Sequence, residues 1–262
     1  MIKIDCKKYA DEIIEAVAQI PNKRKYLTII TAGDNPASAA YMRGKVADCE
    51  RCGVPVSMTR LYDPDKLEYL IGLENNNPQV GGIIVQLPLP AGFDERVAVN
   101  SVRLDKDVDG FRPNSPFLPC TPEGIMHVLA KEIGELAGKT VLLIGKGKLV
   151  GKPLIDLLLE SGCTVTVAHS KTECLDRLLR KYHDVVIAAV GKPKLVDLSV
   201  TNAAVVIDAG INRDENGKLC GDCYNFDPDD GESMRVTTVP GGIGLMTRAM
   251  LMKHMGKVNG NG

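Results

Sequence analysis

Three polar residues with reactive side chains, Ser38, Tyr41 and Lys45, follow one another at spacings of three and four positions in the stretch PASAAYMRGK. At about 100° per residue they fall within roughly 60° of one another on one helix face. A lysine held there could serve as an acid or a base in a pocket, although the same pattern also suits a solvated helix surface. The preceding TAGDNPAS favours a pocket, because ligands of open α/β sheets gather where strands end and helices begin.

Gln86 is a second polar residue that directly follows an apolar run, GGIIV, and it precedes Leu87 and Pro88. Its amide could either cap a loop or contact a ligand. The stretch TTVPGGIGLMTRAM places Pro240, Gly241 and Gly242 in a turn after a short strand. Backbone exposed at such a turn could approach a flat ligand closely, but as structure it is only a turn.

Asp109 lies in DKDVDGF, which begins like a calcium-binding loop. Pro116 occupies the position where that loop needs a bidentate glutamate, so we do not expect a calcium site. Asp109 then either forms an ordinary Asp-Gly turn or faces a cleft at a domain boundary.

A glycine-rich turn follows the apolar run TVLLI and precedes an amphipathic helical stretch. Gly145, Gly147 and Gly151 form GxGxxxG, one residue longer than the usual dinucleotide fingerprint, and such glycines let backbone N–H groups approach a pyrophosphate. A P-loop is set aside because Pro153 follows Lys152 where serine or threonine is needed. The motif is weak alone, but CTVTVAHS supplies the second strand of a βαβ unit.

The end of that second strand predicts which nicotinamide cofactor binds. An acidic residue there would bind the ribose of NAD and repel a 2′-phosphate, but the sequence reads His169, Ser170, Lys171. Together with Lys146 this forms a basic corner rich in hydrogen-bond donors, which favours NADP over NAD. The same lysines could also be merely solvated.

Apolar runs rich in Val and Ile recur along the chain with helical stretches between them: YLTIITAG, GGIIVQLP, TVLLIGKG, CTVTVAHS, HDVVIAAVG and AAVVIDAG. Continuous apolar runs indicate strands buried on both faces, so we predict an α/β protein of two domains, the second a Rossmann-like parallel sheet, with a cleft between them. A turn-rich segment near residues 104–124 separates the two arrays. We place the first domain at 1–116, the dinucleotide-binding domain at 117–244, and a C-terminal helix, 245–262, packing back on the first domain.

Composition narrows the class of partner. The 262 residues have a net charge of −1, scattered basic residues, 4% aromatic residues and no tryptophan, which argues against nucleic acid and favours a small-molecule substrate. Without a long apolar stretch or a cleavage signal we expect a cytoplasmic protein that does not enter a membrane. The eight cysteines include two CxxC pairs separated by most of the chain, so we expect reduced thiols and no metal.

Six stretches occur in one order: PASAAYMRGK, QLPLP, KDVDGF, PCTPEG, GKGKLVGKP and VPGGIGLMT. In this combination the chain resembles the bifunctional methylenetetrahydrofolate dehydrogenase and methenyltetrahydrofolate cyclohydrolase family over nearly its whole length. The resemblance implies an enzyme of one-carbon metabolism and purine biosynthesis, a homodimer, and two reactions at one shared site. Oxidation of 5,10-methylenetetrahydrofolate with NADP gives the 5,10-methenyl cation, and its hydrolysis gives 10-formyltetrahydrofolate.

The resemblance also implies roles for individual residues. Lys45 would be the principal acid/base group, partly desolvated because the methenyl cation repels positive charge, while Tyr41 would orient the folate. Gln86 would hold the lysine and Asp109 would anchor the pterin. The expected substrate contacts are Tyr41, Lys45, Gln86, Leu87, Pro88, Asp109, Pro240, Gly241 and Gly242. The expected cofactor contacts are Gly145, Lys146, Gly147, Ser170, Lys171, Gly191, Ile211, Gly241 and Gly242.

The chain departs from the family pattern at three positions. Lys146 and Gly147 replace a usual Arg-Ser pair, and Leu245 replaces a common proline. Because a lysine lacks the fork of an arginine, the grip on a 2′-phosphate should be weaker. The alternative is another two-domain dehydrogenase, acting on shikimate or an amino acid, with Lys45 as its base; it leaves QLPLP and VPGGIGLMT unexplained.

Overall fold

The computed structural model describes residues 1–33, 36–229 and 233–260, with the backbone alone for residues 36–40. It divides into two compact units. The six-stranded unit comprises residues 1–10 and 121–247, and the three-stranded unit comprises residues 11–120 and 248–262. The chain therefore passes from one unit to the other at residues 10–11, 120–121 and 247–248.

The helices are α1 (Cys6–Ala18), α2 (Pro36–Cys52), α3 (Leu67–Asn76), α4 (Glu95–Ser101), α5 (Cys120–Ile133), α6 (Gly151–Glu160), α7 (Leu175–Leu179) and α8 (Ile243–Gly260). The strands are β1 (Ile2–Lys3), β2 (Tyr26–Ala32), β3 (Val56–Leu61), β4 (Val80–Val85), β5 (Thr140–Ile144), β6 (Thr164–Ala168), β7 (His183–Ala188), β8 (Val196–Asp197), β9 (Ala203–Asp208), β10 (Asn212–Arg213), β11 (Leu219–Cys220), β12 (Cys223–Tyr224) and β13 (Arg235–Val236). Short 3₁₀ turns occur at Pro64–Lys66, Leu104–Lys106 and Leu198–Val200. Among the described residues, no helix is both long and apolar enough to cross a bilayer.

The six-stranded unit is built on a parallel sheet with the order β1-β13-β9-β7-β5-β6. Its central strands are almost wholly apolar, and Val141–Ile144 of β5 and Val185–Ala188 of β7 are buried. Strands with such continuous runs need helices on both faces, as the sequence predicted. The α/β fold with a parallel sheet is confirmed.

The three-stranded unit contains a parallel sheet with the order β3-β2-β4. The predicted strands β2 and β4 are buried, but β3, VSMTRL, was not predicted. It lies at the sheet edge, and each of its residues is either exposed or half-buried. An edge strand of this kind lacks the continuous apolar run on which the prediction relied.

The C-terminal part of α8 packs in the three-stranded unit against two adjacent glycines of β4. A Cβ added at Gly82 would lie 2.7 Å from Cγ1 of Val108 and 2.8 Å from Sδ of Met255. A Cβ at Gly81 would lie 2.7 Å from Cγ1 of Val258. The two glycines therefore let α8 approach the strand more closely than any side chain would permit.

Candidate active site

Lys45 is a buried cation in the three-stranded unit. Its side chain projects from α2 and the residue is 3% exposed. Nζ donates a hydrogen bond to Oε1 of Gln86 at 3.1 Å and lies 5.3 Å from the ring centroid of Tyr41, one helical turn earlier. The spacing that suggested a shared helix face thus brings Tyr41 and Lys45 together.

Gln86 is held on both sides of its amide. It directly follows β4, and its backbone N–H donates to the Ile30 carbonyl of neighbouring β2 at 2.8 Å. Its Nε2 donates to the Leu87 carbonyl at 2.7 Å, which leaves Oε1 directed at Lys45. The peptide bond between Leu87 and Pro88 is cis. Gln86 therefore caps the loop and also contacts the lysine, and a contact with a ligand stays a prediction.

Asp109 is buried, at 9% exposed, in a loop fastened by hydrogen bonds. Cys120 N–H donates to its carbonyl at 3.2 Å, and Nδ1 of His254 donates to the carbonyl of Val108 at 2.7 Å. Burial raises the pKa of the Asp109 carboxyl, while the nearby positive charge of Lys45 acts in the opposite direction. Asp109 therefore shares the electrostatic environment of Lys45.

An ion pair that sequence reasoning missed lies one turn beyond Lys45. Nε of Arg248 is 3.0 Å from Oδ2 of Asp48, whose side chain is almost fully buried, but the two atoms are not aligned for a hydrogen bond. A Cβ at Gly44 would collide with the Arg248 guanidinium. Gly44 thus lets Arg248 lie against α2, and nothing in the local sequence identified the pair because its members are 200 positions apart.

Two parts of the predicted site lie outside the described residues. These are Asn35, in the turn expected to feed α2, and the side chain of Ser38. The backbone of Ser38 is helical.

The glycine-rich turn of the six-stranded unit connects β5 to α6. Gly145 has φ of +110°, and a Cβ there would collide with the carbonyl oxygen of Ala189. A Cβ at Gly151 would collide with the carbonyl oxygen of Gly145, whereas Gly147 has open space around it. The turn is therefore tightly folded beside an open backbone surface at a helix N-terminus, which fits a dinucleotide pyrophosphate.

The residues expected to select the cofactor follow the carboxyl ends of β5 and β6. His169 N–H donates to Oγ1 of Thr172 at 2.9 Å, and Lys171 N–H donates to Nδ1 of His169 at 3.2 Å, so the turn after β6 is ordered. Ser170, Lys171 and Lys146 are exposed. Their side chains are therefore accessible to a phosphate.

Two buried carboxylates, which sequence reasoning also missed, organise the loops after β7 and β9. Asp222 accepts hydrogen bonds from the backbone N–H groups of Val190, Gly191 and Lys192. Asp208 accepts from those of Gly210, Asp222 and Cys223. Asp208 ends the run AAVVID, and an acid at the carboxyl end of a buried strand was the available signal.

The turn before α8 contains the last expected contacts. The Val239–Pro240 peptide bond is cis, and Gly241 has φ of +95°, a conformation that favours glycine. Ile243 begins α8 directly afterwards. The turn was correctly predicted.

The cysteines are free thiols. Cys49 and Cys52 are buried in α2, and burial raises the pKa of Cys49 to about 12 and that of Cys52 to about 11. Among the residues that the structure describes, no group of three or more His, Cys, Asp or Glu side chains could hold a metal ion.

Comparison with known proteins gives two family matches that together cover most of the chain. Residues 4–109 match the catalytic domain of tetrahydrofolate dehydrogenase/cyclohydrolase, and residues 119–260 match its NAD(P)-binding domain. The bifunctional protein FolD of Lysinibacillus sphaericus is 42% identical over 95% of this chain and 94% of its own length.

Solved structures agree. The bifunctional FolD enzyme of Campylobacter jejuni, a methylenetetrahydrofolate dehydrogenase/cyclohydrolase, has a TM-score of 0.90 at 35% identity and covers 100% of this chain and 99% of its own. The Trypanosoma brucei FolD, complexed with NADP cofactor and inhibitor, has a TM-score of 0.89 at 28% identity, covering 99% and 97%. A dehydrogenase of the shikimate or amino acid type is not favoured. The chain belongs to the tetrahydrofolate dehydrogenase/cyclohydrolase family and is a bifunctional enzyme with both activities.

Proposed function

We propose that Lys45 is the principal acid/base group of the cyclohydrolase reaction, in which 5,10-methenyltetrahydrofolate is hydrolysed. The observation that carries this assignment is a lysine ammonium that is 3% exposed, faces Tyr41 and is hydrogen-bonded to the neutral amide of Gln86. A lysine amine held at a fixed position beside the substrate can exchange protons with it as a general acid or base.

In the hydrolytic half, water adds to the methenyl carbon and a proton is released. Ring opening then breaks one carbon–nitrogen bond and leaves 10-formyltetrahydrofolate. Lys45 exchanges the protons of these steps and Gln86 fixes its position. Tyr41 orients the folate, Asp109 anchors the pterin, and Leu87, Pro88 and Pro240 line the substrate. The neutral amide of Gln86 holds the ammonium without neutralising its charge. A carboxylate in the same place would neutralise that charge.

In the oxidative half, 5,10-methylenetetrahydrofolate loses a hydride, and NADP supplies the acceptor. This step needs no protein acid or base, only alignment of the two rings. Gly145 and Gly147 would let backbone approach the pyrophosphate, and Gly241 and Gly242 would contact folate and nicotinamide. Gly191 and Ile211 contact the cofactor.

The basic corner of Lys146, Ser170 and Lys171 binds the 2′-phosphate of NADP. Exposed lysines are point charges, so this grip is weaker than that of an arginine fork. The NADP complex of the Trypanosoma brucei relative supports the same cofactor here.

The proposal extends to organisation and location. We assign residues 1–116 to the folate-binding domain, residues 117–244 to the NADP-binding domain and residues 245–262 to the first domain, except that residues 1–10 belong to the six-stranded unit. The enzyme is a cytoplasmic homodimer.

The test is to incubate the enzyme with 5,10-methylenetetrahydrofolate and either NADP or NAD at low concentration. Absorbance of the methenyl product should rise and then decay, and the initial rate should be higher with NADP. Equal initial rates with NAD would contradict the assignment of Lys146, Ser170 and Lys171. No turnover with either cofactor would overturn the proposed function.

A further inference from the structure

Asp222 is a fully buried carboxylate with an unusual set of partners in the six-stranded unit. It is 0% exposed. Its Oδ2 accepts from the N–H groups of Val190 at 2.7 Å and Gly191 at 3.1 Å, and its Oδ1 accepts from that of Lys192 at 2.8 Å. Three successive amides of the loop after β7 thus converge on one side chain, which satisfies a buried charge through oriented backbone dipoles.

The same carboxylate holds the loop after β9. Oδ1 accepts from Nδ2 of Asn212 at 2.9 Å, and the Asp222 N–H donates to Oδ1 of Asp208 at 3.0 Å. Gly210 N–H donates to that same Asp208 oxygen at 2.9 Å. The residues on both sides of Ile211 are therefore tied down.

Ile211 itself is 60% exposed although it is a large apolar residue. Its tied neighbours hold it outward at the carboxyl edge of the sheet, where cofactors bind in this class of fold. The loop after β7 presents Gly191, with φ of +75°, at the same edge. Two of the loops that carry expected cofactor contacts, those after β7 and β9, thus accept support from one carboxylate.

The hydrogen bonds also restrict what the loop after β7 can do. Because its three N–H groups already donate to Asp222, they are not available to a cofactor phosphate. The loop can meet a ligand through its carbonyls and its glycine surface. A preorganised surface of this kind improves affinity because the loop loses little conformational freedom on binding.

We propose that Asp222 is a positioning residue for the nicotinamide cofactor, acting through the Val190–Lys192 loop and through Asn212 on Ile211. This inference rests on the proposed cofactor site. It concerns affinity for the cofactor alone, so the hydrolysis of methenyltetrahydrofolate, which uses no nicotinamide, should not depend on it.

The central experiment compares Asp222→Asn with the wild type for NADP dissociation constant, dehydrogenase KM for NADP and cyclohydrolase kcat/KM. The amide keeps the volume but replaces an acceptor oxygen by a donor that faces N–H groups. We expect the NADP dissociation constant and KM to rise about tenfold, because buried donors lose their acceptor. Cyclohydrolase kcat/KM should stay within about twofold of wild type, since the substitution keeps the side-chain volume.

Asn212→Ala supplies a milder variant that removes one donor and leaves the three backbone donors, so we expect an increase of about threefold. Asp197→Asn is the matched control. Its carboxylate accepts from Ser199, Tyr224 and Asn225 in the same unit but holds neither loop, so NADP affinity should be unchanged.

Wild-type NADP affinity in a folded Asp222→Asn enzyme would overturn the inference. The inference would also be overturned if Asp222→Asn lost both activities equally and Asn212→Ala kept wild-type NADP affinity. Asp222 would then contribute to folding alone. Failure of the wild type to bind NADP would count against the cofactor site itself, and is therefore distinguishable.

Discussion

Lys45 is buried, and an unpaired charge at a buried position is energetically costly. The acceptor that the structure gives it, Oε1 of Gln86, is polar but neutral. A buried ammonium needs a hydrogen-bond partner, but the proposed reaction passes through a substrate cation that an adjacent carboxylate would over-stabilise. This geometry fits the proposed role of Lys45 in the hydrolytic half rather than in hydride transfer.

The first prediction follows from this division of labour. Lys45→Met should lower cyclohydrolase kcat by about 10²-fold or more, the range typical of lost acid/base catalysis, while NADP reduction remains measurable. Absorbance of methenyltetrahydrofolate follows both reactions. Lys66→Met, which removes an exposed lysine of the same unit, should change neither. Equal loss of both activities in a folded Lys45→Met enzyme would contradict the role assigned to Lys45.

The residue-level site was only partly predictable from the sequence. Helical spacing predicted that Tyr41 and Lys45 share a face, and the structure places the amine 5.3 Å from the ring. Nothing in the residue pattern required Gln86, 41 positions later, to reach the lysine. That contact depends on β4 pairing with β2, which precedes the helix of Lys45, and strand order is a tertiary property.

At the level of elements, the glycine-rich turn between β5 and α6 contains two glycines with different surroundings, although the motif treats them alike. Gly145 combines a positive φ with a collision for any Cβ, while Gly147 has open space. One glycine is required for folding, and the other is open to a ligand.

The second prediction contrasts these two glycines. Gly145→Ala should destabilise the six-stranded unit by roughly 1–3 kcal/mol or more, because the backbone must leave its conformation or push Ala189 away. Gly147→Ala should change the free energy of unfolding by less than about 0.5 kcal/mol. Thermal unfolding measured by circular dichroism compares them. Equal melting temperatures for the two variants would contradict the strain assigned to Gly145.

The strands β5 and β7 are also joined at their amino ends by a charged side chain. Oδ2 of Asp184 accepts from the N–H of Thr140 at 2.8 Å and from its hydroxyl at 2.9 Å. The hydrogen bonds to Thr140 are the main cause that lowers the pKa of the Asp184 carboxyl in the folded protein. The ionised form is therefore stabilised by folding.

The third prediction concerns this carboxylate and pH. Its contribution is complete above the unfolded-state pKa and is lost as pH falls through the lower folded-state pKa. Asp184→Asn should therefore destabilise the protein by roughly 1–3 kcal/mol at neutral pH, and its difference from wild type should shrink in acid. Denaturant unfolding across the acidic range measures this. Asp156→Asn, an exposed change in the same unit, is the control, and a pH-independent difference for Asp184→Asn would refute the explanation.

Most of the strands with five or more residues were predictable, because strands buried on both faces have long apolar runs. The runs containing β2, β4, β5, β6, β7 and β9 were all recognised, and each is a parallel strand. β3 was missed because it lies at a sheet edge and mixes polar with apolar residues, and β1, β8, β10, β11 and β12 were missed because each has only two residues. A short strand was expected before the turn at Pro240, and β13 lies just before it. Short strands carry too little sequence to show a period.

For the whole molecule, the three-stranded unit depends on residues from the far end of the chain. Met255 and Val258 of α8 fill the space left by Gly81 and Gly82, and His254 donates to the Val108 carbonyl beside Asp109. Met255 and His254 are almost completely buried. These long-range contacts connect the C-terminal helix to the loop of a proposed site residue.

The fourth prediction is that a chain ending at Thr247 loses the cooperative unfolding of the three-stranded unit and its cyclohydrolase activity. Removing one large buried side chain costs about 2–5 kcal/mol, and a typical protein has about 5–15 kcal/mol in total. Calorimetry and the methenyltetrahydrofolate assay measure the loss. Removal of residues 261–262 alone should leave both unchanged, and full activity after truncation at Thr247 would refute this dependence.

The passages of the chain at residues 10–11, 120–121 and 247–248 bear on how such enzymes can be recombined. A chimera that inherits one unit from each of two parents needs three junctions rather than one. Two of these fall inside α1 and α8, and the third falls at the second residue of α5. Each of these helices would then combine sequence from two parents and would have to pack as well as either parental helix does. We therefore expect that cofactor preference can be exchanged between relatives more readily by point substitution than by transplanting a whole unit.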